Sequence, residues 1–181
     1  MSVKEIVLGG GCFWCMEAVF QMINGVVSVE PGYSGGHFAY PKYEDVCSDK
    51  TGHAEVVRIR YDDSVLDLNG ILEVYFASHD PTTLNRQGDD VGSQYRSIIF
   101  YTDNAQKNTI ESYIGDLRRG HKFKDPIVTE VRKFSIFYPA EDYHHNYFRN
   151  NPDKGYCKLV ISPKLEKVRK RFSAGDITLK V

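Results

Sequence analysis

Three consecutive glycines, Gly9-Gly-Gly11, constrain the fold of this chain more than any other feature. They stand between Glu5-Ile-Val-Leu8, a short apolar run of strand character, and a segment opening at Cys12. In that segment Phe13, Met16, Phe20 and Ile23 recur at helical spacing and Gly25 supplies a stop. Glycines carry no side chain to hold other groups away, so the strand-to-helix turn is tight and a ligand can approach its backbone. Cys12 then lies where the helix begins, with its sulfur beside N–H groups that have no partner within the helix. A thiol so placed is expected to have a lowered pKa and to supply a thiolate nucleophile. The alternative is a buried, inert cysteine in a tight turn.

The remaining periodicity predicts strands at Val26–Val29, Ala54–Tyr61, Tyr95–Thr102 and Ile127–Val131, with Pro31-Gly32 closing the first of these. Between them lie a helix carrying Leu68, Ile71, Leu72, Tyr75 and Phe76, and another lined by Ile110, Tyr113, Ile114 and Leu117. The latter is capped by Asn104 and ended by Gly120. The order β-α-β-β-α-β followed by α-β predicts an α/β (α+β) fold, a ferredoxin-like split βαβ mixed sheet with helices, long loops and a C-terminal extension. Residues 1–181 read as a single catalytic domain in which about 150–181 form a partly mobile segment carrying Cys157. Its Lys/Arg residues read as the wet face of a terminal helix over Leu165, Val168 and Phe172. Two long polar loops, one after Gly32 and one from His79 to Gln94, are where chemistry is expected.

Composition narrows the function. With 41% apolar and 26% charged residues the chain belongs with ordinary globular proteins, which excludes disorder, collagen and coiled coil. A net charge of −1 lacks the basic excess of a nucleic-acid binder. No apolar run approaches the roughly 18 residues needed to span a bilayer. Ile6–Met16 is uncharged, but Glu5 cancels Lys4, glycines interrupt the run and no cleavage site follows, so no export signal is read and a cytoplasmic location is expected. In a reducing compartment Cys12, Cys15, Cys47 and Cys157 are expected to be reactive or incidental rather than structural bridges.

Cys15 completes Cys12-Phe-Trp-Cys15, a C-x-x-C that suggests either a dithiol redox pair or half a zinc site. The zinc signal is weak because no second ligand pair stands at metal spacing, so no metal and no cofactor are expected. Phe13 and Trp14 follow Cys12 about 100° apart on the helix, so one can face the core while the other faces a pocket suited to a small apolar group. Strand alternation puts Glu55 on the same face as Val57, Ile59 and Tyr61, away from Arg58 and Arg60. A carboxyl at the start of that apolar face is desolvated, keeps its proton near neutrality and can donate it; the alternative is a strand-end Glu that bends into water. The loops add phenols at Tyr33, Tyr40, Tyr43 and Tyr95, which hydrogen-bond without adding charge, and Asp90, which either binds substrate or turns the loop. Cys157 follows Asn150-Asn-Pro-Asp and Gly155-Tyr156, a setting from which a second thiol can swing; otherwise it is an incidental cysteine at a strand start.

Seven segments, Gly10-Gly-Cys-Phe-Trp14, Gly32-Tyr-Ser-Gly-Gly36, Tyr43-Glu-Asp-Val46, Gly52-His-Ala-Glu55, His79-Asp-Pro-Thr82, Gln87-Gly-Asp-Asp90 with Gln94-Tyr-Arg-Ser97, and Ala140-Glu-Asp-Tyr-His144, together resemble the A-type peptide methionine sulfoxide reductases. The resemblance runs from about residue 6 to 160. It implies a reductase of methionine-S-sulfoxide, free or in proteins, the other epimer belonging to a B-type enzyme. By the same resemblance Cys12 is the nucleophile and Glu55 the acid, Tyr43 and Tyr95 bind the sulfoxide oxygen, Phe13 and Trp14 hold the methyl group, and Asp90 helps bind the substrate backbone. The product on Cys12 is a sulfenic acid, which a second thiol condenses to a disulfide, and thioredoxin is the implied reductant. Some members resolve with a cysteine at the position of Cys15 and others with one resembling Cys157. This chain has both, and Cys157 is expected to act first with Cys15 as alternative or relay. Asp89 replaces the family's usual Asn, and an altered substrate preference is expected from its charge. A monomer is expected. The rival readings are a general thiol–disulfide oxidoreductase, which has no need of Glu55, and a zinc-bound interaction module.

Overall fold

The computed structural model describes residues 1–181. In chain order the elements are β1 (Val3–Gly9), α1 (Phe13–Gln21), β2 (Val26–Ser34), α2 (Tyr43–Cys47), β3 (Ala54–Asp62), α3 (Leu68–Ser78), the short strands β4 (Arg86–Gln87) and β5 (Asp90–Val91), β6 (Ile98–Tyr101), α4 (Asn104–Arg119), β7 (Glu130–Lys133), β8 (Phe137–Pro139), α5 (Tyr147–Asn150) and α6 (Ser162–Arg171). The main sheet runs β7-β6-β1-β3-β2-β8, and only the β6–β7 pair is parallel. Its inner four strands have the order and antiparallel pairing of the split βαβ unit expected from the sequence, with β7 and β8 added at the two edges. β4 and β5 form a separate hairpin in the second long loop.

The two faces of the sheet differ. A core cluster of 33 buried residues lies on the helix side, and one of 5 (Val7, Ala54, Val56, Ile98, Phe100) on the other, which decides where the helices pack. Helix α1 is buried nearly all round, because α5 and α6 cover the side that the sheet does not. In α6, Leu165 and Val168 are buried while Arg169, Lys170 and Arg171 are exposed, as expected of a basic wet face. No helix is long and apolar enough to cross a membrane.

Several boundaries depart from the sequence expectation. β2 continues through Pro31-Gly32 to Ser34, because β8 joins only from Gly32 onward and leaves Pro31 where β2 is still an edge strand. Part of the first long loop is helical (α2). Tyr95 belongs to a 3₁₀ turn before β6 rather than to the strand, and Ile127 precedes β7. The cap of α4 is Asp103, whose carboxylate accepts from the Gln106 amide, not Asn104. Cys157 does not begin a strand: Cys157–Ile161 is a π-helical turn that runs into α6.

Candidate active site

Antiparallel pairing brings the site together. Because β1 and β3 run in opposite directions, with Leu8 opposite Val57, the end of β1 meets the beginning of β3. The Gly9–Gly11 turn therefore lies beside Glu55, and β2 places Tyr33 opposite Glu55 from the other side. The Gly11 amide donates to the carbonyl of Tyr95 at 3.1 Å, which fixes the third phenol-bearing segment to the turn. Gly11 has a φ of +87°, and an added Cβ there would stand 2.7 Å from Gln87 Cγ. Behind the turn, the Tyr75 hydroxyl donates to the Gly9 carbonyl at 2.7 Å. Buried His79 links the Tyr75 carbonyl to Ser97 Oγ, and its pKa is lowered to about 4 by burial, so it stays neutral.

Glu55 is 1% exposed. Its Oε1 accepts the Phe13 amide at 3.1 Å, while its Oε2 is buried without any hydrogen-bond partner. Burial pushes its pKa up to about 8, with Asp90 adding and the Phe13 amide opposing, so the acid is protonated at neutrality. Cys12 caps α1 and is itself buried. The expected lowering of its pKa does not hold. Burial, and then the charges of Glu55 and Cys15, push the thiol up, and the Trp14 amide pulls it down by less. A nine-residue helix end does not overcome that desolvation.

The aromatic residues form the wall. Phe13 is fully buried, with ring centroids 5.7 Å from Tyr33, 6.5 Å from Tyr43 and 4.9 Å from His144. Trp14 is half-buried. It stacks on Tyr147 at 3.6 Å, meets Tyr156 edge-on at 5.8 Å, and donates from Nε1 to His144 Nδ1 at 2.9 Å. That bond puts the His144 proton on Nε2, which is buried without a partner. Tyr43 and Tyr95 are half-buried, and burial followed by the charge of Glu55 raises both phenols, so they remain donors. Asp90, at the start of β5, accepts from the Tyr156 hydroxyl at 2.6 Å, and the same hydroxyl stands 3.9 Å from Cys15 Sγ. Cys15 and Cys157 are both buried, and all four cysteines are free thiols. Asp89 is exposed.

Sequence reading passed over three of the groups that build this site. Glu141 accepts from the Tyr33 hydroxyl and from the Tyr43 amide, each at 3.0 Å, and so ties β2 to the start of α2. His144 anchors Trp14, and Tyr156 bridges Asp90 and Cys15. Glu141 and His144 both lie within Ala140-Glu-Asp-Tyr-His144, where four chemistry-bearing side chains in a row were the available signal. The three buried side-chain atoms without hydrogen-bond partners are Glu55 Oε2, Gln94 Oε1 and His144 Nε2, and all belong to the site or its immediate supports. No three His, Cys, Asp or Glu side chains converge as a metal-binding group. An open cleft of about 630 Å³ reaches the site only through His79 and Gln87, which pack on Gly10 and Gly11.

The family model for peptide methionine sulfoxide reductase matches residues 4–176. A peptide methionine sulfoxide reductase MsrA of Picrophilus torridus is 56% identical over 91% of this chain and 93% of its own length, and one of Saccharolobus solfataricus is 54% identical over 91% and 92%. Among solved structures, the reduced form of Mxr1 from Saccharomyces cerevisiae superposes with a TM-score of 0.79 at 32% identity, covering 86% of this chain and 89% of that one. Methionine sulfoxide reductase A of Corynebacterium diphtheriae gives 0.74 at 31% identity, covering 87% and 78%. Mxr1 has also been solved in complex with Trx2, a structure of the same fold at a TM-score of 0.55. With a buried carboxyl set beside a helix-capping cysteine and the match running along nearly the whole length, the chain belongs to the A-type peptide methionine sulfoxide reductases.

Proposed function

We propose that this enzyme reduces the S epimer of methionine sulfoxide, free and in proteins, with Cys12 as nucleophile and Glu55 as acid, and that thioredoxin recycles it. The observation that carries the reading is the state of Glu55: one oxygen fixed by the Phe13 amide, the other bare, and the group protonated near neutrality. A sulfoxide sulfur is a poor electrophile until its oxygen takes a proton, and Glu55 Oε2 is the atom suited to give one. The phenols of Tyr43 and Tyr95 donate to the same oxygen, Phe13 and Trp14 seat the methyl group, and Asp90 holds the substrate backbone. A protonated Glu55 no longer opposes ionisation of Cys12, so donor and nucleophile are matched. Attack by the Cys12 thiolate moves the oxygen from methionine to cysteine, releasing methionine and leaving a sulfenic acid.

In the same reading Cys157 resolves that acid first and Cys15 serves as alternative or relay, which requires the segment around Cys157 to move. The enzyme is taken to work as a monomer in the cytoplasm, where thiols are kept reduced. The test uses the two separated epimers of N-acetylmethionine sulfoxide. The S epimer is consumed and the R epimer is not; Cys12→Ser makes no methionine, and Glu55→Gln slows the chemical step by roughly 10²–10⁴-fold. Equal consumption of both epimers, or a less than threefold effect at Glu55, would overturn the assignment.

A further inference from the structure

Tyr156 stands inside the site, yet the chemistry above gives it nothing to do. Its hydroxyl donates to Asp90 Oδ2 at 2.6 Å and stands 3.9 Å from Cys15 Sγ, while its ring meets Trp14 edge-on at 5.8 Å. One side chain therefore engages both the carboxylate assigned to the substrate backbone and the ring assigned to the substrate methyl. Its chain neighbour is Cys157, fully buried in the main core and placed on the π-helical turn Cys157–Ile161. A π turn carries an extra residue within the helix and recurs at functional sites.

We propose that Tyr156 is a latch displaced by substrate: its bond to Asp90 keeps Cys157 buried, and a sulfoxide that takes Asp90 frees Cys157 to reach Cys12. The proposal rests on the roles given above to Asp90, Cys12 and Cys157. Substrate and Tyr156 cannot hold the same carboxylate oxygen and the same wall at once, so occupation of the site shifts the latch. A hydrogen bond to a charged acceptor is worth roughly a tenfold to hundredfold change in such an equilibrium. Once free, the Cys157 thiol gives up its proton and its sulfur attacks the sulfenic sulfur of Cys12. The S–S bond forms as the S–O bond breaks, and the oxygen leaves with two protons as water. The sulfenic sulfur is thereby reduced and the thiol oxidised. The latch keeps Cys157 protected until an oxidised substrate has arrived.

The test follows alkylation of Cys157 by N-ethylmaleimide, read by peptide mass spectrometry, in the full chain bearing Cys12→Ser so that bound N-acetylmethionine-S-sulfoxide methylamide is not consumed. Saturating ligand is expected to speed labelling by about tenfold or more. Adding Tyr156→Phe should give the fast rate without ligand, and ligand should then add less than about twofold, a loss of ligand dependence that mere destabilisation does not produce. Asp90→Ala, opening the latch from its other end, should match it and keeps the test alive if Tyr156→Phe folds poorly. Ligand-free rates in both variants within about twofold of the parent would overturn the latch, and so would ligand that slows labelling. If the chain with Cys12 intact still releases methionine in a single turnover, the reductase reading survives that failure; methionine released by Cys12→Ser would instead overturn both.

Discussion

A carboxyl with one oxygen bonded and the other bare is held at the expense of stability, and Glu55 shows how. Its pKa is raised from an ordinary 4.5 to about 8 by burial, so the folded protein binds its proton more tightly than the unfolded chain does. The folded state gains from that proton fully below about pH 4.5 and loses the gain as pH rises toward about 8. Relative to Glu55→Gln, the wild-type enzyme should lose on the order of 3 kcal/mol of stability between pH 5 and pH 8. Urea denaturation at the two pH values measures this, and parallel curves for the two proteins would mean that Glu55 is not the titrating group. On the role proposed for Glu55, turnover depends on the same proton. The rate of the chemical step should rise with pH as Cys12 ionises and level off above about 8, where Glu55 loses its proton, and that break near pH 8 should vanish in Glu55→Gln. Much of this was legible in the sequence, because strand alternation alone put Glu55 on an apolar face. The raised pKa of Cys12 was not, since the helix end is visible in sequence but the burial of the thiol, and Glu55 beside it, come only with the tertiary fold.

Among the elements, the Gly9–Gly11 turn has the least room to change. A Cβ at Gly10 would stand 2.7 Å from Met16 Cε and 2.8 Å from His79 Cδ2. His79 cannot retreat, because its two ring nitrogens are engaged by the Tyr75 carbonyl and Ser97. Gly10→Ala should therefore cost about 1–3 kcal/mol and lower the chemical rate by displacing Cys12 from Glu55. Gly155→Ala, with nothing within 4 Å of the new methyl, should be neutral or slightly stabilising. Thermal melts of the two variants check the contrast, and equal melting temperatures would show that the turn is free to relax. The same elements show how far sequence reading reaches. Long periodic segments such as β3 and α4 declare themselves, because every second residue or every third and fourth faces a core. Helix α2 does not, since five residues with Val46 alone buried leave no period to detect. The strand character of Pro31-Gly32 was hidden by residues that normally end strands. At Gly32 the reason is contact with another element, because a Cβ would stand 2.3 Å from Phe137 Cζ. Contacts made across 105 positions of sequence are decided by the fold rather than by local pattern.

At the scale of the whole molecule, two thiols near the start of the chain and one near its far end lie in one neighbourhood, and their number sets a countable outcome. Cys12 caps α1 and Cys15 lies on its first turn, while Cys157 comes from the far end of the chain; burial raises the pKa of Cys15, and nearby Asp90 and then Cys157 add to it against Lys164 and the Tyr156 hydroxyl. On the roles proposed above, with no reductant present one sulfoxide would oxidise Cys12 to the sulfenic acid and release one methionine. Condensation with Cys157 would then give a disulfide. If Cys15 then attacks the Cys157 sulfur, the disulfide moves to Cys15–Cys157, Cys12 leaves as a thiolate, and a second sulfoxide is reduced. Four electrons have then passed to substrate, two leaving a disulfide and two a sulfenic acid, so the balance closes at two methionines per chain. Fully reduced protein mixed with excess methionine sulfoxide should therefore release two, Cys15→Ser should release one, and Cys157→Ser should release two only if Cys15 reaches Cys12 unaided and a further thiol takes over the disulfide. The fourth cysteine, Cys47, is exposed at the end of α2 and has no place in this series, so Cys47→Ser should leave the count at two. A count of one in the unmodified chain would separate the proximity of Cys15 from its chemistry, leaving it a buried neighbour of Tyr156 rather than a carrier of the disulfide.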